Sequence, residues 1–70
     1  MDPRARPFPA GTIERMQELL GGDLPLRLRE RVQCVRLLAM GRTGQDVAAI
    51  TGRSVSTVER HKRRFLAEGE

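Results

Sequence analysis

The fold of this chain is decided by residues 43–64, which have the sequence TGQDVAAITGRSVSTVERHKRR. Thr43 is a favourable helix cap, and Asp46 follows it at the spacing of a capping pair. We therefore predict a short helix over residues 44–51. Gly52 should end it, because glycine readily adopts the positive φ angle that a tight turn requires. The stretch predicts a helix followed by a tight turn.

A second helix is predicted after the turn, crossing the first. Ser54 is its expected cap, and the helix should run to about residue 67, before Gly69. Ala48 is expected at the crossing point, because a larger side chain there would push the two helices apart. The side chains predicted to face the interior are Val47, Ala48 and Ile50 of the first helix and Val58, His61, Phe65 and Leu66 of the second. This packing leaves the opposite side of the second helix exposed.

The exposed side of the second helix is basic. Residues 53–64 contain five basic residues and one acidic residue, a net charge of +4 that equals the formal net charge of the whole chain. Two helices joined by a tight turn, the second of them basic, are the layout of a helix-turn-helix that places its second helix in the DNA major groove. Double-stranded DNA is therefore the expected partner. The alternative is a helical bundle with a solvated basic face.

The outward positions of the second helix are the candidate DNA contacts. Contacts with base edges are expected from Val55, Ser56, Glu59 and Arg60. Arginine can bond guanine with two donors, valine can pack on a thymine methyl group, and glutamate either accepts from a cytosine amine or orients the arginine. Contacts with phosphate are expected from Thr43, Arg53, Thr57, Lys62, Arg63 and Arg64, together with backbone amides at the start of the first helix.

The N-terminal segment, residues 1–11, contains three prolines, two arginines and one glycine. Proline lacks a backbone N–H and is excluded from helix interiors, so this segment is predicted to be a flexible, extended arm. Arg4 and Arg6 either reach into an adjacent minor groove or belong to a disordered tail. Residues 12–70 are assigned to the folded domain.

Two further helices are predicted between the arm and the motif. The first is capped by Thr12 and ends at about Leu20; the second begins at residues 23–25 and continues to Met40, with Gly41 as a left-handed stop. Their predicted core residues are Ile13, Met16, Leu19 and Leu20 in the first and Leu24, Leu28, Val32, Val35 and Leu38 or Ala39 in the second. The charged residues of the second helix, which lie outside its row of predicted core residues, are Arg27, Arg29, Glu30, Arg31 and Arg36. These arginines either contact backbone phosphate or form a solvated face.

The chain as a whole is predicted to be an all-α bundle of about four helices.

Composition argues against several other classes of function. Two Phe and no Trp or Tyr provide no aromatic platform for single-stranded nucleic acid. Cys34 is the only cysteine, so no intramolecular disulfide can form, and a cytoplasmic location is expected. The sequence has no apolar run long enough to span a membrane. One Cys and one His are too few for a metal site or a catalytic triad, so we expect no metal, no cofactor, no small-molecule substrate and no enzyme activity.

The segments LLAMG, DVA, GRS, STV and RRFLAEG lie between residues 26 and 70. With them, this part of the chain resembles the N-terminal homeodomain-like region of bacterial insertion-sequence transposases of the mariner-like superfamily. The resemblance implies a homeodomain-like helix-turn-helix that binds the terminal inverted repeats of a mobile element, with the catalytic carboxylates in a separate downstream domain. That family often has large apolar residues on both sides of the turn glycine and a tryptophan at the position of His61. Here Thr51 and Arg53 flank Gly52, and Ile50 is expected to take over the packing.

Several functions are compatible with this pattern. The resemblance implies recognition of transposon ends, a frameshifted first reading frame, or a stand-alone regulator derived from such a domain. The run STVERH is also similar to the output domains of LuxR-type regulators, which bind promoters. A protein-interaction module is a different class, and it would use an exposed apolar patch at Leu37, Met40 and Leu66. Because a single module of this size makes limited contact with DNA, a homodimer or a second contact such as the arm is expected.

Overall fold

The computed structural model describes residues 8–68 and contains four helices. These are α1 (Thr12–Leu20), α2 (Leu26–Ala39), α3 (Gly44–Thr51) and α4 (Val55–Glu68). The described part of the chain has no β-strand. Helix α2 packs against each of the other three, and α3 packs against α4. The predicted all-α bundle of four helices is confirmed.

The core is built around the C-terminal half of α2. Its buried side chains are Val32, Cys34, Val35, Leu37, Leu38 and Ala39. Leu24 and Leu28, which were predicted to be core residues, are only half-buried. Leu37 is 9% exposed, so the exposed apolar patch expected for an interaction module loses one of its three members. Since three helices contact α2, this half of the helix is buried on more than one side.

The predicted signals at the ends of the motif helices are confirmed. The Thr43 Oγ1 atom accepts a 3.0 Å hydrogen bond from the Asp46 backbone N–H at the start of α3. At the start of α4, the Ser54 Oγ atom accepts a 3.2 Å bond from the Thr57 backbone N–H. Gly52 has a φ angle of +76°, as the tight turn requires. Both motif helices therefore begin at side-chain caps that the sequence identifies.

The predicted starts of α1 and α2 were wrong in detail. Gly11, not Thr12, occupies the cap position of α1. The Thr12 hydroxyl instead donates a 2.7 Å hydrogen bond to the Pro9 carbonyl, which leaves Thr12 as the buried first residue of the helix. Helix α2 begins only after Pro25, whose carbonyl accepts from the backbone N–H of Leu28 and of Arg29. Turns that precede α1 and α2 determine where each helix begins, and the capping preferences of single residues do not predict these turns.

Phe8 belongs to the packed domain, although the sequence assigned it to the arm. Its side chain is buried, and its ring centroid lies 5.9 Å from that of Phe65, with the two rings tilted by 38°. Such a tilted aromatic pair is a favourable packing arrangement. The predicted arm boundary at residue 11 was therefore wrong. Arg4 and Arg6 lie outside the described residues.

Helix α3 packs on the core through Val47 and Ala48, as predicted, but not through Ile50. Ile50 is 55% exposed, whereas Val47 is fully buried and Thr51 is half-buried. The Thr51 hydroxyl donates a 2.7 Å hydrogen bond to the Val47 carbonyl, so its polar group is satisfied. With about 3.6 residues per turn, Thr51 follows Val47 on the same face and Ile50 is displaced to one side. Leu66 of α4 was also predicted to face inward and is exposed.

Candidate nucleic-acid interface

Helix α4 is held against the bundle by one face. Val58 is fully buried and Phe65, two turns later, is also buried. Val47 of α3 is fully buried in the same core, which confirms the predicted packing of the two motif helices. The side of α4 opposite Val58 is not covered by any other part of residues 8–68 and is therefore available to a partner.

The structure places two of the four predicted base-contacting residues, Ser56 and Arg60, on this available side. Arg63 is exposed there too, whereas Val55 is exposed on the flank beside Gly44 of α3. Glu59 differs, because it is half-buried on the flank of α4 that faces α3. A Cβ atom added to Gly44 would lie 3.0 Å from the Oε1 atom of Glu59. The sequence therefore predicts the exposure of Ser56 and Arg60 but does not separate Val55 and Glu59, on the α3 flank, from them.

The Glu59 carboxylate lies near the N-terminal end of α3. This end has a partial positive charge from the helix dipole and from unpaired backbone N–H groups, which favours a negative group. From the sequence, Thr43 and the backbone amides at the start of α3 were predicted to contact a DNA phosphate. Within the described residues, an acidic side chain of the protein itself lies at that position.

Arg53, predicted to contact phosphate, is paired with a carboxylate of α2. Its Nε and Nη2 atoms each lie 2.7 Å from the Oε1 atom of Glu30. The second oxygen, Oε2 of Glu30, is 3.1 Å from the Nε2 atom of His61. The His61 hydrogen bond lowers the pKa of Glu30, helped by Arg53 and opposed by partial burial. One carboxylate thus ties both the turn and α4 to α2.

Glu30 is the residue that sequence reasoning missed. It lies outside the apolar stripe of α2, among arginines, where a charged residue is normally solvated. Its partners are 23 and 31 positions away along the chain. Local pattern gives no signal for contacts at such separations.

The remaining predicted phosphate contacts differ in their surroundings. Thr57 is half-buried, and its hydroxyl lies 3.1 Å from the Ser54 hydroxyl. Lys62 is half-buried, whereas Arg63 and Arg64 are exposed. The Nε atom of Arg64 is 3.4 Å from Oε2 of Glu68, an exposed pair that contributes little to stability. Both arginines thus lie at the surface of α4; among residues 8–68, Arg64 forms this weak ion pair and Arg63 forms none.

One arginine of α2 stabilises a helix end instead of forming part of a solvated face. The Arg29 guanidinium donates hydrogen bonds of 3.0 Å to the Leu20 carbonyl and 3.2 Å to the Gly22 carbonyl. Carbonyls at the C-terminal end of a helix lack partners within the helix, and a cation there is favourable. Arg29 thus fastens the end of α1 to α2.

The described residues offer little for metal or thiol chemistry. Among residues 8–68, no group of three or more His, Cys, Asp and Glu side chains could hold a metal ion. Cys34 is fully buried, as a core residue should be, and burial raises the pKa of its thiol to about 11. The thiol is therefore protonated at neutral pH. None of the helices in this part of the chain is long and apolar enough to cross a membrane.

A comparison with protein families gives the same architecture. The family model for the homeodomain-like domain matches residues 25–70, which include α2, α3 and α4. The chain belongs to the homeodomain-like family. Searches of curated proteins and of solved structures found no match. A homeodomain-like helix-turn-helix is a DNA-binding unit, so the family indicates binding to double-stranded DNA.

Helix α1 precedes the matched segment of this homeodomain-like domain. It packs on α2, and its end is fastened there by Arg29. The helix is thus an addition to the three-helix unit and leaves the outward side of α4 uncovered.

Proposed function

We propose that the domain binds double-stranded DNA in a sequence-specific manner, with α4 in the major groove. The observation that carries this proposal is the division of α4 into two faces. Val58 and Phe65 are buried, whereas Ser56, Arg60 and Arg63 on the other side are exposed. A helix about 10–12 Å across fits the major groove, which is about 12 Å wide.

Arg60 is the main base-reading residue in this proposal. It is exposed, and a guanidinium can donate two hydrogen bonds to a guanine edge. Ser56 lies one turn before Arg60 and accepts or donates to more than one base. Val55 offers its exposed side chain to a thymine methyl group. These three side chains would read neighbouring base pairs.

Glu59 has a different role in the proposal. Its carboxylate lies beside Gly44 at the start of α3, which supports a function in fixing α3 against α4. This position favours a role for Glu59 within the protein over a hydrogen bond with a cytosine amine. Arg63, Arg64 and Lys62 supply phosphate contacts, and Arg53 joins them only if it leaves Glu30.

The biological setting that we propose is a cytoplasmic one, in which the domain recognises transposon ends or acts as a stand-alone regulator derived from such a domain. The support is the resemblance of residues 26–70 to the DNA-binding region of insertion-sequence transposases. A regulator of the LuxR-output type is the alternative within DNA binding. The interaction-module alternative is weaker, because Leu37 is buried and only Met40 and Leu66 of its patch are exposed.

Selection of bound duplexes from a random DNA pool tests the proposal. We expect enrichment of one short motif, with affinity that falls as salt concentration rises, because bound phosphates release counterions. Inverted repeats among the selected sites would favour a homodimer. Binding that is equally tight at low and high salt, or selection without any enriched motif, would contradict sequence-specific recognition.

A further inference from the structure

Four arginines line a cleft between α2 and α4. Arg27 and Arg31 lie one turn apart on α2, and Arg60 and Arg64 lie one turn apart on α4. The half-buried side chains of Leu28 and His61 complete the lining. The cleft has a volume of about 380 Å³, and we refer to it as the arginine cleft.

In the part of the chain that the structure describes, no carboxylate lines the arginine cleft. Glu30, on the same helix, is engaged by Arg53 and His61. Glu68 reaches Arg64 at 3.4 Å, but both side chains are well exposed and the contact is weak. Within residues 8–68, four like charges therefore face one space without a matching negative group. Such an arrangement favours an anion, since each cation raises the local potential for it.

Arg31 lines the cleft, although one of its donors is not open to it. Its Nε atom is buried and has no hydrogen-bond partner among residues 8–68. Because this atom has no accessible surface, an anion in the cleft can reach Arg31 only through the other nitrogens of its guanidinium. Guanidinium groups match phosphate oxygens in both charge and shape. The donor set of the cleft therefore suits a phosphate group.

We propose that the arginine cleft binds a backbone phosphate of the same DNA duplex whose major groove accommodates α4. This inference rests on the proposed function. A helix that fills the major groove has one phosphate strand on each side. One flank of α4 faces α3, where Glu59 approaches Gly44, and the other faces α2, where His61 approaches Glu30. The cleft lies on the α2 flank and contacts the second strand.

Arg60 connects the two surfaces. It is exposed on the base-facing side of α4 and also lines the cleft. A duplex that places bases against Arg60 therefore brings a strand towards Arg27, Arg31 and Arg64. Two of the phosphate-binding residues then come from α2, which lies outside the helix-turn-helix itself.

The test compares Arg27→Gln and Arg31→Gln with Arg36→Gln. All three substitutions remove one positive charge from α2, but Arg36 lies nearly opposite the cleft on that helix. We expect the two cleft variants to weaken binding to all sequences alike and to reduce the slope of log affinity against log salt by about 1. Arg36→Gln should leave the slope unchanged. If Arg31→Gln fails to unfold cooperatively, the exposed Arg27 still provides the test.

Phosphate ethylation interference locates the contact. On the selected duplex, wild type should show interfering phosphates on both strands, and Arg27→Gln should lose interference on one strand only. Identical interference patterns and salt slopes for Arg27→Gln and wild type would overturn the cleft inference while DNA binding stands. Salt-independent binding by the wild type would instead overturn the proposed function.

Discussion

The Oε2 atom of Glu30 lies 3.1 Å from the Nε2 atom of His61, which joins α2 to α4. The other oxygen of the same carboxylate bonds Arg53 in the turn before α4. The orientation of α4 is thus fixed on one flank by apolar packing at Val58 and on another by this polar junction. The insertion-sequence transposases that this chain resembles often have a tryptophan at the position of His61. A tryptophan there would replace this polar junction with an apolar contact.

Replacing Glu30 with glutamine should lower the free energy of unfolding by about 1 kcal/mol, the usual net contribution of a partly buried hydrogen bond. Most of that loss comes from His61, because the Arg53 side chain is 57% exposed and its ion pair is screened by solvent. Urea denaturation measures the change. Glu68→Gln is the matched control and should cost less than about 0.5 kcal/mol, since its pair with Arg64 is exposed. Equal effects of the two substitutions would mean that the junction does not stabilise the bundle.

The junction should also make stability depend on pH in the acid range. The pKa of Glu30 in the folded protein is below its ordinary value of 4.5, mainly because of the His61 hydrogen bond. The unfolded state therefore binds more protons around that pKa, and the contribution of Glu30 is present above pH 4.5 and is lost as the pH falls through the folded pKa. The difference in unfolding free energy between wild type and Glu30→Gln should shrink on acidification. A difference that is constant from neutral to acid pH would contradict the assignment.

The turn between the motif helices should be sensitive to any side chain at Gly52. Its φ angle is +76°, and a Cβ atom there would meet no other atom within 4 Å, so the cost of Gly52→Ala is one of backbone strain alone. We expect a loss of about 1–2 kcal/mol, measured by thermal unfolding. Gly21→Ala is the control, because Gly21 has a φ angle of −76° and an added Cβ would make only ordinary contacts. If the two variants unfold at the same temperature, the left-handed turn is not required.

Arg60 and Arg64 should differ in their effects on DNA recognition. Arg60→Ala is expected to cost about 1–3 kcal/mol of binding free energy on the preferred site and to relax preference at one base position. Arg64→Ala should weaken all sequences alike, because a phosphate contact is independent of the base. Repeating the selection from random DNA with each variant measures both effects. A uniform loss for Arg60→Ala would assign that residue to phosphate.

Local signals account for what the sequence predicts well. The caps at Thr43 and Ser54 and the left-handed turn at Gly52 depend on residues within one helical turn, and the structure has all three. Exposure of Ser56 and Arg60 then follows from the burial of Val58, because helical periodicity fixes opposite faces.

Contacts between distant parts of the chain account for what the sequence does not predict. Phe8 packs on Phe65, and Glu30 bonds Arg53 and His61, across separations for which periodicity carries no information. The arginine cleft is of the same kind, since two helices contribute its residues. For Ile50, the error arises because positions 47, 48 and 50 together span nearly half of the helix circumference, and only Val47 and Ala48 lie on the part that the neighbouring helices cover.

Because Cys34 is buried, the reactivity of its thiol can be used to measure how readily the domain opens. The thiol is fully buried in α2 and is the only one in the chain, so a thiol reagent can reach it only when α2 separates from its neighbours. The rate of labelling therefore measures the opening of the bundle: it gives the opening rate when labelling is faster than reclosing and the population of the open form when it is slower. A duplex that binds only the closed form would slow the labelling of Cys34, because it lowers the population of the open form. Thiol reactivity would then measure DNA binding at a surface that Cys34 does not contact.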